Sequence, residues 1–156
     1  MDTSALRAAY DAFLQLATTG TFGPDPADGW GADRVLAHMA VNDGLLAATT
    51  RQLLDDDPSP PAYDNALSQD PANLDAFVKS VGGRAGLADA IRERAERLMS
   101  LIEQLDEQRA GTELPVRIKD GDEYVIDGPT PWSRIVRAQH AFHVPAHADQ
   151  LRELLA

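Results

Sequence analysis

The segment LADAIRERAERLMSLIEQLDEQ, residues 87–108, has the most regular hydrophobic pattern in the chain. Its apolar positions recur in steps of four and three residues: Leu87, Ile91, Ala95, Leu98, Ile102 and Leu105. Arginine and glutamate occupy most of the positions between them. Because an α-helix turns once every 3.6 residues, this rhythm gathers the apolar side chains on one face. The segment therefore predicts a long amphipathic helix that packs against other helices.

Two helices are predicted ahead of this segment. The first lies between Thr3 or Ser4, either of which can cap its start, and Gly20, which can end it. The second is predicted over residues 32–54, where apolar side chains again recur at helical spacing. Residues 55–61 hold three aspartates and three prolines, and they are expected to end the second helix because proline cannot continue one.

A long crossover and a hairpin separate the remaining helices. The crossover between the second helix and residue 71 is followed by a short predicted helix near residues 74–81. Two β-prone runs, residues 114–118 and 123–126, flank the sequence KDGD at residues 119–122. An Asp-Gly pair between such runs is typical of a tight hairpin turn. These strands are expected to form a small hairpin at the side of the helices.

A last helix is predicted from about Pro131 or Trp132 to Leu155. The chain then has four long helices, one minor helix and one hairpin. The 156 residues fit one domain of ordinary size, and no domain boundary is evident between residues 1 and 156. The predicted class is therefore all-α, a single four-helix bundle with a small β-hairpin before the last helix.

Charge and hydropathy exclude several classes of partner. The formal net charge is -11, so the chain would repel the phosphates of nucleic acids and the surface of anionic membranes. No apolar run is long enough to cross a bilayer. The first residues lack the basic stretch and apolar run of a signal peptide, so the cytoplasm is the expected location.

Histidines are the candidate metal ligands, because a chain without cysteine must bind metal through nitrogen and oxygen. His143 and His147 are four residues apart, so on a helix both rings project from one face. His140 falls on nearly the same stripe, three residues before His143. His38 lies within the second predicted helix. Two neighbouring helices could direct these rings towards one divalent ion.

The spacing alone leaves a packing role open. Two histidines four apart also occur by chance, and a partly buried His38 can instead bond to a carboxylate or a carbonyl. Pro145 lies between His143 and His147. It lacks a backbone N–H and clashes with the carbonyl four residues earlier, at Ala141, so a kink is expected there.

Two motifs resemble the DinB/YfiT-like family. GWGADRVLAHM, residues 29–39, resembles that family's tryptophan-to-histidine motif, and HVPAHADQL, residues 143–151, resembles its second motif. The resemblance implies a four-helix bundle in an up-down-down-up arrangement. It also implies a three-ligand site at His38, His143 and His147 that holds zinc, nickel or iron(II).

The same resemblance implies a metal- and thiol-dependent activity. Relatives act as thiol-dependent S-transferases or as a mycothiol-dependent maleylpyruvate isomerase. The favoured function is therefore a transferase or isomerase that uses a low-molecular-weight thiol of the mycothiol or bacillithiol type on an electrophile. Two alternatives remain open: a metal-dependent hydrolase, and a non-catalytic, stress-related binding protein with an empty site. The sequence leaves the oligomeric state open, although bundles of this kind often pair through helix faces as homodimers.

Several polar and aromatic residues near the motifs are candidates for orienting the ligands or contacting substrate. They are His140, Asn42, Asp43, Gln150, Trp30 and Arg34. Asn42 and Asp43 lie one turn past His38, where a side chain could orient an imidazole. Gln150 lies seven residues after His143 and near the same face. Trp30 could line a substrate pocket or pack at the start of a helix.

Overall fold

The computed structural model describes residues 1–55 and 61–156. The α-helices are α1 (Ser4–Thr19), α2 (Ala32–Leu54), α3 (Ala66–Gln69), α4 (Pro71–Ser80), α5 (Arg84–Glu103), α6 (Glu107–Ala110), α7 (Trp132–Ala138) and α8 (Val144–Glu153). A π-helical turn, Gln139–His143, joins α7 and α8 into one helical stretch. The strands are β1 (Tyr63–Asp64), β2 (Glu113–Asp120) and β3 (Glu123–Pro131).

The long helices pack around a shared core. α2 packs against α5, α1 packs against both α5 and α8, and α2 also contacts α8. The prediction of a mainly helical domain is confirmed, and the up-down-down-up order implied by the resemblance stays a prediction. Within the described residues, no helix is both long enough and apolar enough to span a membrane. The expected helix end after Leu54 falls partly on residues 56–60, which lie outside the described residues.

The hydrophobic rhythm of α5 is confirmed by its burial. All six predicted core positions are buried, and α5 packs on both α1 and α2. The predicted end at residue 108 was wrong, because α5 ends at Glu103 and the short α6 begins at Glu107. The reason is local: the Asp106 carboxylate accepts a hydrogen bond of 2.7 Å from the Arg109 backbone N–H, which caps a new helix.

The hairpin is larger than its sequence indicated and belongs to a three-stranded sheet. β2 and β3 are antiparallel, and β1, from the crossover, pairs in parallel with β2. Gly121 turns the hairpin with a φ of 59°, a conformation that glycine adopts without strain. Leu114 and Val116 of β2 are buried in the core. The sheet therefore closes one side of the helical core, whereas the sequence predicted only a small hairpin beside the helices.

The π-helical turn lies immediately before the proline that was expected to kink the last helix. The Val144 N–H bonds to the carbonyl of Gln139, five residues earlier. Pro145 has no N–H to give to Ala141. A turn with five-residue hydrogen bonding is wider than an α-helical turn. The helical stretch continues past Pro145 because the irregularity is confined to this single turn.

Asp43, in the middle of α2, carries a carboxyl group into the core. It is fully buried, and the Tyr10 hydroxyl donates a hydrogen bond to its Oδ1. Its Oδ2 has no hydrogen-bond partner among the described residues. Burial raises the pKa of Asp43 to about 7, although the Tyr10 hydrogen bond and the charge of Arg94 act in the opposite direction. The carboxyl is therefore harder to ionise in the folded protein than in the unfolded chain.

Replacing Asp43 with asparagine should change how stability depends on pH. A folded-state pKa raised from 3.8 to about 7 gives a stability contribution that is full at low pH and is lost as pH rises through this interval. As pH rises, the free energy of unfolding of the native protein should fall relative to that of Asp43→Asn. The fall should be at most about 1.4 kcal/mol per pH unit. Urea denaturation of both proteins at about pH 5 and about pH 7 measures this difference, in which groups common to both cancel. If the native protein's free energy of unfolding, relative to that of Asp43→Asn, stayed constant or increased with pH, the raised pKa of Asp43 would be contradicted.

Candidate functional site

Three histidines converge at one place on the inner side of the last helical stretch. His38 comes from α2, His143 ends the π-helical turn, and His147 lies one turn further along α8. One ligand nitrogen from each ring lies within 4.8 Å of the other two. The ring centroids are 5.2 Å apart for His38 and His143, 4.6 Å for His38 and His147, and 4.7 Å for His143 and His147. The structure thus brings together the three residues that the sequence singled out.

His38 is held in one tautomer by the crossover. It is only 1% exposed, and its Nδ1 lies 2.6 Å from the carbonyl oxygen of Ser68 in α3. A carbonyl can only accept, so the Nδ1–H donates and the Nε2 carries the lone pair. That Nε2 lies 3.0 Å from the Nε2 of His143. The backbone of α3 therefore aims the free nitrogen of His38 into the cluster.

His147 is oriented by a side chain on its own helix. Its Nδ1 lies 2.9 Å from the Oε1 of Gln150, which accepts the Nδ1–H. The Nε2 of His147 is then unprotonated and free to bind a ligand. A histidine ligand usually donates its other N–H to an oxygen in this way, which fixes the tautomer and the ring orientation. Gln150 was singled out from the sequence, whereas nothing in the sequence pointed to Ser68.

Burial keeps the three rings neutral. It is the largest cause lowering the pKa of His38 to about 4, and it lowers the pKa of His143 and of His147 as well. The charge that a protonated His147 would carry further lowers the pKa of His38 and of His143, and the charge of His38 also lowers that of His143. Neutral imidazoles have lone pairs available for metal at neutral pH.

The donor set fits a divalent ion. Nitrogens bound to one ion at about 2.0–2.1 Å would lie roughly 3.0–3.5 Å from each other, and the two Nε2 atoms of His38 and His143 already have this spacing. The Nδ1 of His143 is buried and has no hydrogen-bond partner among the described residues. Three nitrogen donors without cysteine suit zinc, nickel or iron(II). They also leave a coordination position for another molecule.

The three rings form part of the wall of a cleft of about 830 Å³. Trp30 lies beside them, with its ring centroid 5.3 Å from that of His38. The tip of the hairpin, residues 118–122, forms another part of the wall together with Val125. Sequence reasoning missed this wall, although the hairpin directly precedes the helix that carries His143 and His147. A cleft that opens onto the three rings gives a small molecule access to any bound ion.

Asn42 and Asp43 bond to tyrosines in the core. The Tyr63 hydroxyl donates to Asn42, and the Tyr10 hydroxyl donates to Asp43. Neither residue lines the cleft. The carbonyl of Ser68 fills the position beside His38 that these residues were expected to occupy.

Arg34 and His140 also lie outside the cleft lining. Both Nε and Nη2 of Arg34 donate to the carboxylate of Asp75 in α4, at 2.7 and 2.8 Å. His140 lies in the π-helical turn and does not belong to the three-histidine cluster. Its expected alignment with His143 assumed α-helical spacing, and the wider π turn changes that phase. Trp30 does line the cleft and is half-buried there.

Two solved structures are similar to this chain: the mycothiol-dependent maleylpyruvate isomerase and a variant of that enzyme with one histidine replaced by alanine. Their identities to the chain are 15% and 14%, and each has a TM-score of 0.69 over 95% of this chain. The chain spans 58% of the length of either. No family model and no curated protein matches the sequence. This shared fold agrees with the resemblance to the DinB/YfiT-like family, while the exact helix order that the resemblance implies stays a prediction.

Proposed function

We propose that this chain is a metal- and thiol-dependent enzyme, an S-transferase or isomerase, in which His38, His143 and His147 hold one divalent ion. The observation that carries the proposal is the convergence of the three ring nitrogens within 4.8 Å at the wall of a cleft. The fold shared with a mycothiol-dependent isomerase supports the thiol as co-substrate.

The protein's own residues would prepare the site in two ways. Ser68 and Gln150 hold the Nδ1–H groups of His38 and His147, so both Nε2 lone pairs face the cluster. Three histidine ligands would leave a bound ion with a position for a further ligand, as in catalytic rather than structural metal sites. An ion bound there would hold a small thiol as its thiolate, the nucleophilic form of sulfur. The chain has no cysteine, so the sulfur must come from a cofactor.

The electrophile would enter from the cleft. The hairpin tip and the helical stretch that carries His143 both line this cleft, so their side chains would hold the electrophile beside the three histidines. If the thiol and the electrophile are both bound in the cleft, their reaction no longer depends on a chance encounter in solution, which lowers its entropic cost. The cleft volume of about 830 Å³ can hold a small thiol together with a small electrophile.

An assay with a panel of small thiols tests this proposal. Protein purified without a histidine tag should accelerate the loss of monochlorobimane above the thiol-only control with at least one thiol. Dialysis against a chelator should remove this acceleration, and added zinc, nickel or iron(II) should restore it. Absence of acceleration with every thiol in the metal-loaded protein would reject the thiol-dependent function. Hydrolysis of esters or amides without any thiol would instead indicate the hydrolase alternative.

A further inference from the structure

The mouth of the cleft exposes apolar side chains. Phe142, in the π-helical turn, is 74% exposed, and Val125, on the hairpin, is 60% exposed. Both line the cleft, one from the hairpin and one from the last helical stretch. A phenylalanine this exposed, beside a candidate ligand, buries little surface in the folded chain, whereas it can lose apolar surface to a bound molecule. These two residues therefore form an apolar mouth suited to the hydrophobic body of a ligand.

The charges at the same mouth are mainly negative. Among the described residues that line the cleft, the carboxylates are Asp120 and Asp122 and the cationic side chain is Lys119. Both aspartates are exposed at the hairpin tip. The Lys119 ammonium lies over the ring of Tyr124, 5.0 Å from its centroid. Arg34, the cation of the nearby motif, is engaged by Asp75 and does not line the cleft.

We propose that the cleft selects substrates with an apolar body of aromatic size and a neutral or positive charge, and discriminates against anions. Phe142 and Val125 bind the apolar body, while Asp120 and Asp122 repel anions and attract cations as they enter. This inference rests on the proposed function only in taking the same cleft as the substrate site. It names a substrate class that the three histidines alone do not specify.

Binding of three probes with one phenyl ring tests the selection. Benzyltrimethylammonium, benzyl alcohol and benzenesulfonate differ mainly in charge, and quenching of Trp30 fluorescence reports their binding. Trp132 is fully buried in the core, so the signal change belongs to Trp30. In protein dialysed against a chelator, where no bound ion attracts the anion, the cation should bind about tenfold more tightly than the anion, with the alcohol between them. Added salt should shrink this ratio, because exposed charges are screened.

Variants separate the charge effect from the apolar effect. The double variant Asp120→Asn/Asp122→Asn should cut the cation-to-anion affinity ratio by about tenfold. Phe142→Ser should weaken all three probes by about fivefold without changing that ratio, while Phe142→Leu should retain most of the affinity. Asp89→Asn removes a carboxylate from α5, away from the cleft, and should leave every affinity unchanged. Any attraction of the anion to a bound ion is common to these proteins and cancels from the comparison.

Two results would overturn the inference: an unchanged cation-to-anion ratio in the aspartate double variant, or unchanged probe affinities in Phe142→Ser. Circular dichroism spectra of each variant establish that it folds. Metal content and thiol-dependent activity are measured on the same preparations. Loss of those two properties with intact probe selectivity would reject the proposed enzyme and leave the charge-selective cleft standing. Intact metal binding and thiol-dependent activity without probe selectivity would reject the charge-selective cleft and leave the proposed enzyme standing.

Discussion

Replacing His38 with alanine should lower the bound metal from about one ion per chain to near zero. His38 supplies the Nε2 that faces His143 at 3.0 Å, and the remaining pair, His143 and His147, offers two donors on one helical stretch. Two imidazoles rarely hold a divalent ion through purification, so the expected loss of affinity is about 100-fold or more. Elemental analysis of tag-free protein after exhaustive dialysis measures the change.

The matched control is His140→Ala, which removes a histidine from the same π-helical turn outside the cluster. This variant should keep its metal. His147→Ala should lose it, which separates loss of a ligand from any disturbance of the core around His38. Added zinc should also raise the melting temperature of the native protein and of His140→Ala, since binding to the folded state stabilises it. Full metal content in His38→Ala or in His147→Ala would refute the ligand assignment.

The Trp132→Ala variant should be destabilised by about 3–5 kcal/mol. Trp132 begins α7 and is completely buried. Its ring meets that of Tyr63 edge-on, with the centroids 5.6 Å apart, and its Nε1–H donates to the Thr50 hydroxyl at 3.1 Å. Truncation removes this contact area and leaves a cavity between α2, β1 and the last helical stretch. Denaturant unfolding monitored by circular dichroism gives the free energy.

Two further variants check the cause of this loss. Thr50→Val keeps the shape but leaves the indole N–H without its acceptor, and it should cost about 1–3 kcal/mol. Phe142→Ala truncates an aromatic residue of the same helical stretch that is exposed, and it should cost within about 0.5 kcal/mol. A Trp132→Ala protein as stable as Phe142→Ala would show that burial of the indole does not stabilise the start of α7.

Helices were predicted well because their signal is local. The apolar steps of α5 were correctly read as a buried face, and α2 has the bounds that its pattern predicted. Each apolar position needs only neighbours three and four residues away to define a face. Element ends were predicted less well. A single capping carboxylate at Asp106 divided the predicted third long helix, and such a choice costs little energy either way.

The sheet was predicted only in part because strand pairing is not local. The Asp-Gly turn correctly indicated a hairpin, but β1 reaches β2 across 52 residues, pairing Tyr63 with Val116. A strand of two residues is too short to show a periodic pattern, so the sequence of β1 does not predict its pairing with β2. The same contact places the hairpin tip, with Asp120 and Asp122, against the cleft.

The order of residues along the chain was enough to show which side chains can do chemistry and which helices carry them. It supplied His143 and His147 at a spacing that any helical turn places near one another, and it excluded sulfur ligands by having no cysteine. The packing of α2 against the last helical stretch is what brings the Nε2 of His38 to 3.0 Å from the Nε2 of His143, 105 residues later in the chain. Folding also places the Ser68 carbonyl beside His38 and the hairpin tip in the lining of the cleft. The physical reason is that helical spacing is set by hydrogen bonds between near neighbours, whereas these contacts depend on how separate elements bury their apolar faces against one another.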